Sequence, residues 1–336
     1  MPTTIKDVAK KAGVSVATVS RTLNGKDRVK DETREKILSV VKEMSFVTNS
    51  SARTLRGSKT NIIGVIVPDI SASFYSEIVK GIENKSNEYD YRIVVCDAQN
   101  NVEKEKTYLR FLYDRSIDGM IFVVPRLFEE EIVKVKENDF PVVVFGQNME
   151  MYNIPSITVD NRQGAYNAVK HLYSHGYSRI SYIGGIEGEK DYDHKERLAG
   201  YMKALEDCKL EIKEQYIENG QYCEEGGSSA FVRLLRLYKP PDAIFCANDE
   251  MALGVLKTAR RNKVRIPEDI GLIGFDNIRI CQYTNPSLST VSQSTYNVGV
   301  LLCEKLLYSI DYRDSNLKNT NLVLKPELVA RESCGC

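Results

Sequence analysis

The sequence predicts two parts: a small all-α helix-turn-helix headpiece, then an α/β body of two doubly wound parallel-sheet subdomains. Three observations carry this. The first sixty residues hold short amphipathic helical patterns broken by a glycine. From Asn61 onward, short β-branched apolar runs alternate with helical spacings, the mark of a parallel sheet. That alternation restarts after about Asp160, which implies two such lobes in series.

The headpiece begins with the run Thr4-Ile-Lys-Asp-Val-Ala-Lys-Lys-Ala-Gly-Val-Ser-Val-Ala-Thr-Val-Ser-Arg21. Ile5, Val8, Ala9 and Ala12 recur at helical spacing and form one apolar face. Thr4 and Asp7 have the spacing of a capping box, which starts the helix sharply. Gly13 ends it, and Ser15 caps a second short helix. Val19 and Leu23 would face the first helix. Val16, Ala17, Ser20 and Arg21 are then left for the faces by which a recognition helix meets the major groove. A third helix spans about Asp31 to Met44, on Ile37, Leu38, Val41 and Met44.

Two short helices and a glycine turn also describe an ordinary helical hairpin. Charge separates the readings. Residues 1–60 hold 13 lysines and arginines against 6 acidic residues, a net of +7, and since the chain has 46 of each, the rest carries 33 against 40, or −7. A neutral total hides a basic head on an acidic body. Such segregated positive charge attracts a phosphate backbone through counterion release.

In the body, Asn61-Ile-Ile-Gly-Val-Ile-Val-Pro68 reads as a buried strand, followed by a helix from Phe74 to Tyr89 through Ile78, Val79 and Ile82. Then come a strand at Arg92 to Cys96, a helix at Glu103 to Asp114, a strand at Gly119 to Val124, a helix at Glu129 to Glu137 and a strand at Pro141 to Phe145. The second series runs through helix Ala165 to His175, strand Arg179 to Ile183 and helix Arg197 to Cys208. Strands at Ala243 to Cys246 and Gly271 to Phe275 flank a helix at Met251 to Arg261. In such sheets ligands bind at the C-terminal ends of the strands.

The block Thr4 to Asn24, with Asn49-Ser-Ser-Ala-Arg-Thr-Leu-Arg-Gly57, resembles the headpiece and hinge helix of the lactose/galactose repressor family, and the likeness covers almost the whole chain. The resemblance implies double-stranded operator DNA as partner. It implies DNA contacts from Thr4, Ser15, Val16, Ala17, Thr18, Ser20, Arg21 and Asn24, and from Asn49, Ala52, Arg53, Leu55 and Arg56 in a hinge helix that orders on operator DNA. Leu55 stands where the family places an intercalating leucine, an apolar wedge that kinks the duplex from its minor groove. Gly57, Ser58 and Lys59 have the composition of a flexible tether.

The resemblance further implies a homodimer and a two-lobed sugar-binding body of periplasmic-binding-protein type, with crossings near Asp160, Thr290 and Asn321. The expected division is 1–46 headpiece, 47–60 hinge and linker, and 61–336 effector-binding and dimerisation domain. Within the last, one lobe takes about 61–160 and 291–320, the other about 161–290 and 321–336.

The family's sugar contacts map onto Phe74, Tyr75, Arg197, Asn248, Phe275, Asp276 and Gln293. A polyol needs hydrogen-bonding groups around its hydroxyls and an aromatic face against its C–H side. Arg197, Asn248 and Asp276 supply the first; Phe74 and Phe275 supply the second. Each also has a structural reading. Asp276 can be a turn residue, Phe275 a core ring, and Arg197 a surface partner of Asp191, Asp193 or Glu196. Asp249 is read as a helix cap. The chain departs from the family's ribose-type pattern at Ala72 and at Gly146-Gln147. The runs Pro68 to Glu77 and Phe275 to Val291 look closer to the family's catabolite-control branch, whose corepressor is a phosphorylated carrier protein. Asn285 replaces the arginine that meets the carrier there. A small sugar-like effector and a carrier-protein corepressor therefore both stand as expected partners.

Apolar content of 42% and charged content of 27% describe a globular protein. No apolar run reaches membrane-span length and no apolar h-region opens the chain, so a cytoplasmic protein without a membrane partner is expected. Gly184-Gly-Ile-Glu-Gly188 matches neither a dinucleotide fingerprint nor a triphosphate loop, and no nucleophile elbow is present, so no enzyme is expected. Of eight cysteines, Cys96, Cys246, Cys281 and Cys303 lie in or beside apolar runs and read as buried hydrophobes. Cys334 and Cys336 stand together without a second pair. His171 and His175 are four apart on a helix, but no third ligand is near them in sequence. No metal, cofactor or structural disulfide is expected.

Overall fold

Short amphipathic segments with strong caps form the first unit. In the computed structural model, residues 4–23, 29–44, 46, 59–114, 117–124, 129–136, 139–185, 192–312 and 321–336 are described. The chain divides into Met1–Thr60 and Asn61–Cys336, each with its own core. Helix α1 (Ile5–Ala12) starts at Thr4, whose backbone N–H and hydroxyl both donate to Asp7 Oδ2, at 2.9 and 2.6 Å. It stops at Gly13, in the left-handed region at φ +69°. Helix α2 (Val16–Leu23) is capped by Ser15, whose Oγ accepts the Thr18 N–H at 3.1 Å. Helix α3 (Asp31–Glu43) closes the unit. Val8, Ala9, Ala12, Val19, Ile37 and Val40 form its core. Leu38, expected on the inner face, is exposed, and Val40 takes the place in the core. The helix turns its Ile37–Val40–Val41–Met44 side inward, one step away from Leu38.

The body holds two six-stranded sheets. The first contains β1 (Ile62–Val67), β2 (Arg92–Asp97), β3 (Gly119–Val123), β4 (Val142–Phe145), β5 (Ser156–Val159) and β11 (Asn321–Leu324). Its order is β11-β5-β4-β3-β1-β2, all parallel. Helices α4 (Ser73–Asn87), α5 (Val102–Asp114), α6 (Glu129–Lys136) and α11 (Thr295–Asp311) belong with it. Two clusters fill this lobe, one containing Ile63, Val65, Ile121 and Val143, the other Ile66, Met120, Phe122 and Val144. Adjacent residues of one strand thus serve opposite faces, as a sheet covered on both sides requires. Helices α4 and α11 touch backbone to backbone: a Cβ on Gly81 would lie 2.1 Å from the Tyr296 carbonyl oxygen, and one on Gly299 2.1 Å from that of Ile78.

The second sheet contains β6 (Ile180–Gly184), β7 (Ile217–Asn219), β8 (Ala243–Cys246), β9 (Gly271–Asp276), β10 (Ser289–Ser292) and β12 (Glu327–Val329). Its order is β12-β10-β9-β8-β6-β7, with only β12 antiparallel. Helices α7 (Asn161–Ser174), α8 (Tyr192–Asp207), α9 (Glu224–Leu235) and α10 (Asp249–Arg261) surround one large core.

The two lobes repeat one strand order, and the chain passes between their sheets at Asp160, after Ser292 and after Leu324. Two expected boundaries shift. Residues 291–292 finish β10 in the second sheet. Asn321–Leu324, expected in the second lobe, pairs with β5 and supplies the edge of the first sheet. Helix α7 starts at Asn161 rather than Ala165 because the Asp160 carboxylate accepts the Gln163 N–H at 2.9 Å. Helix α8 starts at Tyr192, a turn before Arg197.

Candidate functional site

The solvent face of α2, on which the expected DNA contacts fall, follows from how the helix is built. Val19 and Thr22 turn inward, so Val16, Ala17 and Arg21 face solvent, with Thr18 and Ser20 half-buried. Val16 is 37% exposed, on the same solvent face of α2 as Ala17 and Arg21. Exposed Thr4 and Ser15 stand at the N-terminal ends of α1 and α2, and the Asp7 carboxylate already takes the Thr4 N–H. Ser15 is already engaged: its Oγ lies 2.8 Å from Thr18 Oγ1 and caps the helix. Asn24, Asn49, Ala52, Arg53, Leu55 and Arg56 lie outside the described residues.

In the body, strand ends of the second lobe converge on Arg197. This arginine is 4% exposed, so the surface-pairing alternative does not describe it. Its Nε donates to Asn161 Oδ1 at 2.7 Å and its Nη1 to the Ala247 carbonyl. The guanidinium carbon sits 4.0 Å from the Phe275 ring centroid, a cation–π contact. Phe275 is fully buried beneath it, so this ring supports Arg197 rather than offering an open aromatic face. Asn161 Nδ2 in turn donates to Asp193 Oδ1 at 2.7 Å.

Asp276 ends β9 at φ +119°, a conformation that costs a non-glycine residue of order 1–3 kcal/mol and clusters at functional sites. Its Oδ1 accepts from Gln293 Nε2 at 2.6 Å. Burial raises the carboxyl well above its ordinary value, and the Arg197 charge opposes that rise. Arg197 uses Nε and Nη1 on Asn161 and Ala247, and Asp276 takes Gln293. Among the described residues the two charges therefore face one another without a direct hydrogen bond.

Asn248 is the cap of α10: its Oδ1 accepts the Met251 N–H at 2.9 Å, and its Nδ2 donates to the Tyr222 carbonyl at 3.1 Å. Asp249, read from sequence as that cap, lies inside the first turn instead. Fully buried, it accepts from Thr290 Oγ1 at 2.6 Å and the Ile278 N–H at 2.9 Å. Burial pushes its carboxyl up to about 6. Asp249 thus pins the turn that carries Asp276. On the first lobe, Phe74 and Tyr75 open α4, with ring centroids 5.1 Å apart. Phe74 packs against the cores of both lobes, which places it where they meet.

Sequence reasoning missed Asn161, Tyr222 and the positioning role of Asp249, and it named Asp193 only as a surface partner of Arg197, whereas Asp193 holds the Asn161 amide beside it. One signal existed for Asn161, a polar residue opening a helix directly after the first crossing. Sequence distance also hid a second cluster. His171 and His175 meet Cys334 and Cys336, and three of the four donor atoms lie within 4.8 Å of one another. The expectation of no metal rested on there being no third ligand nearby in sequence, and the fold brings two.

The described residues include no helix long and apolar enough to cross a membrane. Residues 4–49 match the family model described as bacterial regulatory proteins, lacI family, and residues 169–334 match a periplasmic binding protein-like domain. The chain is 35% identical to catabolite control protein A of Priestia megaterium, covering 98% of both chains. It is 38% identical to the HTH-type transcriptional repressor CytR of Escherichia coli K12, covering 88% of this chain and 86% of that one. It superposes on a lac repressor dimer bound to operator and the anti-inducer ONPF with TM-score 0.86 at 26% identity, covering 99% of each chain.

Proposed function

Because the chain belongs to the lacI family of bacterial regulatory proteins and is a DNA-binding transcriptional regulator, we propose that it represses carbohydrate-utilisation genes in the cytoplasm under control of a small sugar-like effector. The effector sits between Arg197 and Asp276. The observation that carries this is the buried pair itself: a guanidinium and a carboxylate that face one another with no direct hydrogen bond. Burying opposite charges without joining them is costly. A polyol bridging them would accept from one and donate to the other. Phe74, where the lobes meet, supplies an apolar contact from the first lobe, so a ligand touching it and Arg197 favours one degree of closure. Such a ligand shifts the conformational equilibrium only by its differential affinity for the two states.

On DNA the chain acts as a homodimer on a pseudopalindromic operator, because a single headpiece of this size buries too little surface for tight specific binding. Val16 and Ala17 meet methyl groups or groove shape, Arg21 a guanine edge, and Leu55 the minor groove. A second reading has a phosphorylated carrier protein as corepressor. The likeness of Pro68 to Glu77 and Phe275 to Val291 to the catabolite-control branch favours it, and Asn285 counts against it.

A thermal-shift screen separates the two. Sugars, sugar phosphates and phosphorylated carrier protein are each added with and without operator. A ligand at a hundred times its Kd stabilises by about 2.7 kcal/mol. The effector reading requires a small sugar that raises the midpoint of the wild-type chain and not of Asp276→Ala. A response to the carrier protein alone overturns it.

A further inference from the structure

The strongest unassigned feature is a cluster of three mutually close sulfur and nitrogen donors on the second lobe, with a fourth, His175, against one of them. His171 lies in the last turn of α7, and His175 is the residue that caps it. Cys334 ends a short 3-10 turn, Glu332–Cys334. Gly335 follows in the left-handed region, at φ +88°, and returns the chain so that Cys336 comes back to Cys334. His171 Nε2 is 3.3 Å from Cys334 Sγ and 3.3 Å from Cys336 Sγ, although the first pair lies 163 residues apart in sequence. His175 Nε2 is 3.2 Å from Cys336 Sγ, and the two sulfurs are 3.2 Å apart.

Proton counting shows that hydrogen bonds do not account for this cluster. His175 Nδ1 lies 2.9 Å from the His171 carbonyl oxygen, which can only accept, so Nδ1 carries the proton and a neutral ring leaves a bare lone pair on Nε2. Cys334 Sγ also meets the Arg331 carbonyl at 3.2 Å. The five contacts within and from the cluster then share at most three protons: two thiol hydrogens and one on His171 Nε2. At least two contacts set lone pair against lone pair. A cation among the donors removes that conflict. An ion with bonds of about 2.3 Å to sulfur and about 2.1 Å to nitrogen, coordinated tetrahedrally, holds its donors about 3.4–3.8 Å apart. His171, Cys334 and Cys336 come near that spacing already, while His175, which meets only Cys336 at such a distance, must swing inward to complete the set. The carbonyl bond from His175 Nδ1 is the outer contact that orients a metal-binding imidazole.

We propose that His171, His175, Cys334 and Cys336 form a four-coordinate site for Zn²⁺ or another thiophilic divalent ion, which staples the end of α7 to the residues that follow β12. Two thiolates and two imidazoles select a borderline-soft ion and disfavour Ca²⁺ and Mg²⁺, which need oxygen. With four protein donors the site is closed, which is the arrangement of a structural rather than a catalytic metal. Cys334 is buried, His171 half-buried, and His175 and Cys336 exposed, so an ion enters from solvent. Binding replaces both thiol protons, which leave to solvent.

The test uses the full-length chain, reduced, stripped with chelator and desalted without air, with Zn²⁺ itself as probe. Mass spectrometry of metal content should give about one tightly held Zn²⁺ per chain. Added Zn²⁺ should raise the thermal midpoint. Co²⁺ should give the intense visible bands and thiolate charge-transfer absorption of a tetrahedral sulfur site. Cys336→Ser and His175→Ala change exposed residues and leave the core intact, and each should lower Zn²⁺ affinity at least tenfold and abolish the thermal shift. Retained affinity in both variants overturns the proposal. So do a wild-type chain that takes up no Zn²⁺, a weak octahedral Co²⁺ spectrum, or a Cys334–Cys336 disulfide in the air-free preparation.

Discussion

Asp249→Asn tests the support beneath the proposed pocket. Asp249 is fully buried, with its two oxygens taken by Thr290 Oγ1 and the Ile278 N–H. Its folded carboxyl sits at about 6, against 3.8 for the free group, because burial disfavours the charge. The folded state therefore holds the proton more tightly than the unfolded chain does. The group's contribution to stability is least favourable above pH 6 and grows as pH falls through 6 toward 3.8. Between pH 7 and pH 5 the gain works out at about 1 kcal/mol, or roughly 2–4 °C in thermal midpoint for a domain of this size. Asparagine can still accept from Ile278 with its oxygen, while its amide cannot accept the Thr290 hydroxyl, whose own oxygen already takes the Asn277 N–H. Neutralising Asp249 also removes one of the charges that raise Asp276, so the variant should lose at least that much of the wild-type gain. Calorimetric midpoints of both proteins at pH 7, 6 and 5 give the answer. Equal pH dependence in the two would refute the assignment of a raised carboxyl at Asp249.

Three further outcomes follow from the headpiece and the packing. Arg21→Ala should cost about 1–3 kcal/mol on the preferred operator and relax selectivity at one base, which competition binding measures; equal weakening on every sequence would mark Arg21 as a phosphate contact. Leu55→Ala should weaken operator binding and reduce DNA bending by gel mobility while leaving ligand binding in the body unchanged. Gly81→Ala puts a methyl group against the Tyr296 carbonyl and should destabilise the first lobe by about 1–3 kcal/mol, seen as a lower midpoint; no change would mean that α4 and α11 can separate freely.

What the sequence could carry was local. Thr4, Asp7, Gly13 and Ser15 act within a few residues of themselves, and the headpiece helices begin and end where those residues put them. Apolar β-branched runs such as Ile62–Val67 announce central strands, since both faces of the sheet are covered. Of the edge pieces, β7 (Ile217–Asn219) carries no such run, and β11 only the short Leu322–Leu324, which is not fully buried. They are strands because of a neighbour far off in the chain, and β11 fell on the other side of the expected lobe boundary for that reason. The pocket divides similarly. Arg197, Asp276 and Gln293 are polar residues at or near strand ends, a pattern visible in one dimension. Asn161, Asp193 and Tyr222 matter only through partners on other elements. Asp249 looked like a cap because helix α10 begins beside it, yet Asn248 has the cap geometry. The His–Cys cluster is the extreme case, with its halves at opposite ends of the second lobe's sequence.

The central claim is that occupancy between Arg197 and Asp276 sets operator affinity. The direct measurement is fluorescence anisotropy of labelled operator bound by the full-length chain, titrated with the sugar that shifts the thermal midpoint, in wild type and in Asp276→Ala. The wild-type operator affinity should change with the sugar, and by the same factor the operator should change the chain's affinity for the sugar. Asp276→Ala should bind operator as the sugar-free wild type does and stay there at every sugar concentration. A variant that responds with wild-type midpoint and amplitude would contradict the account.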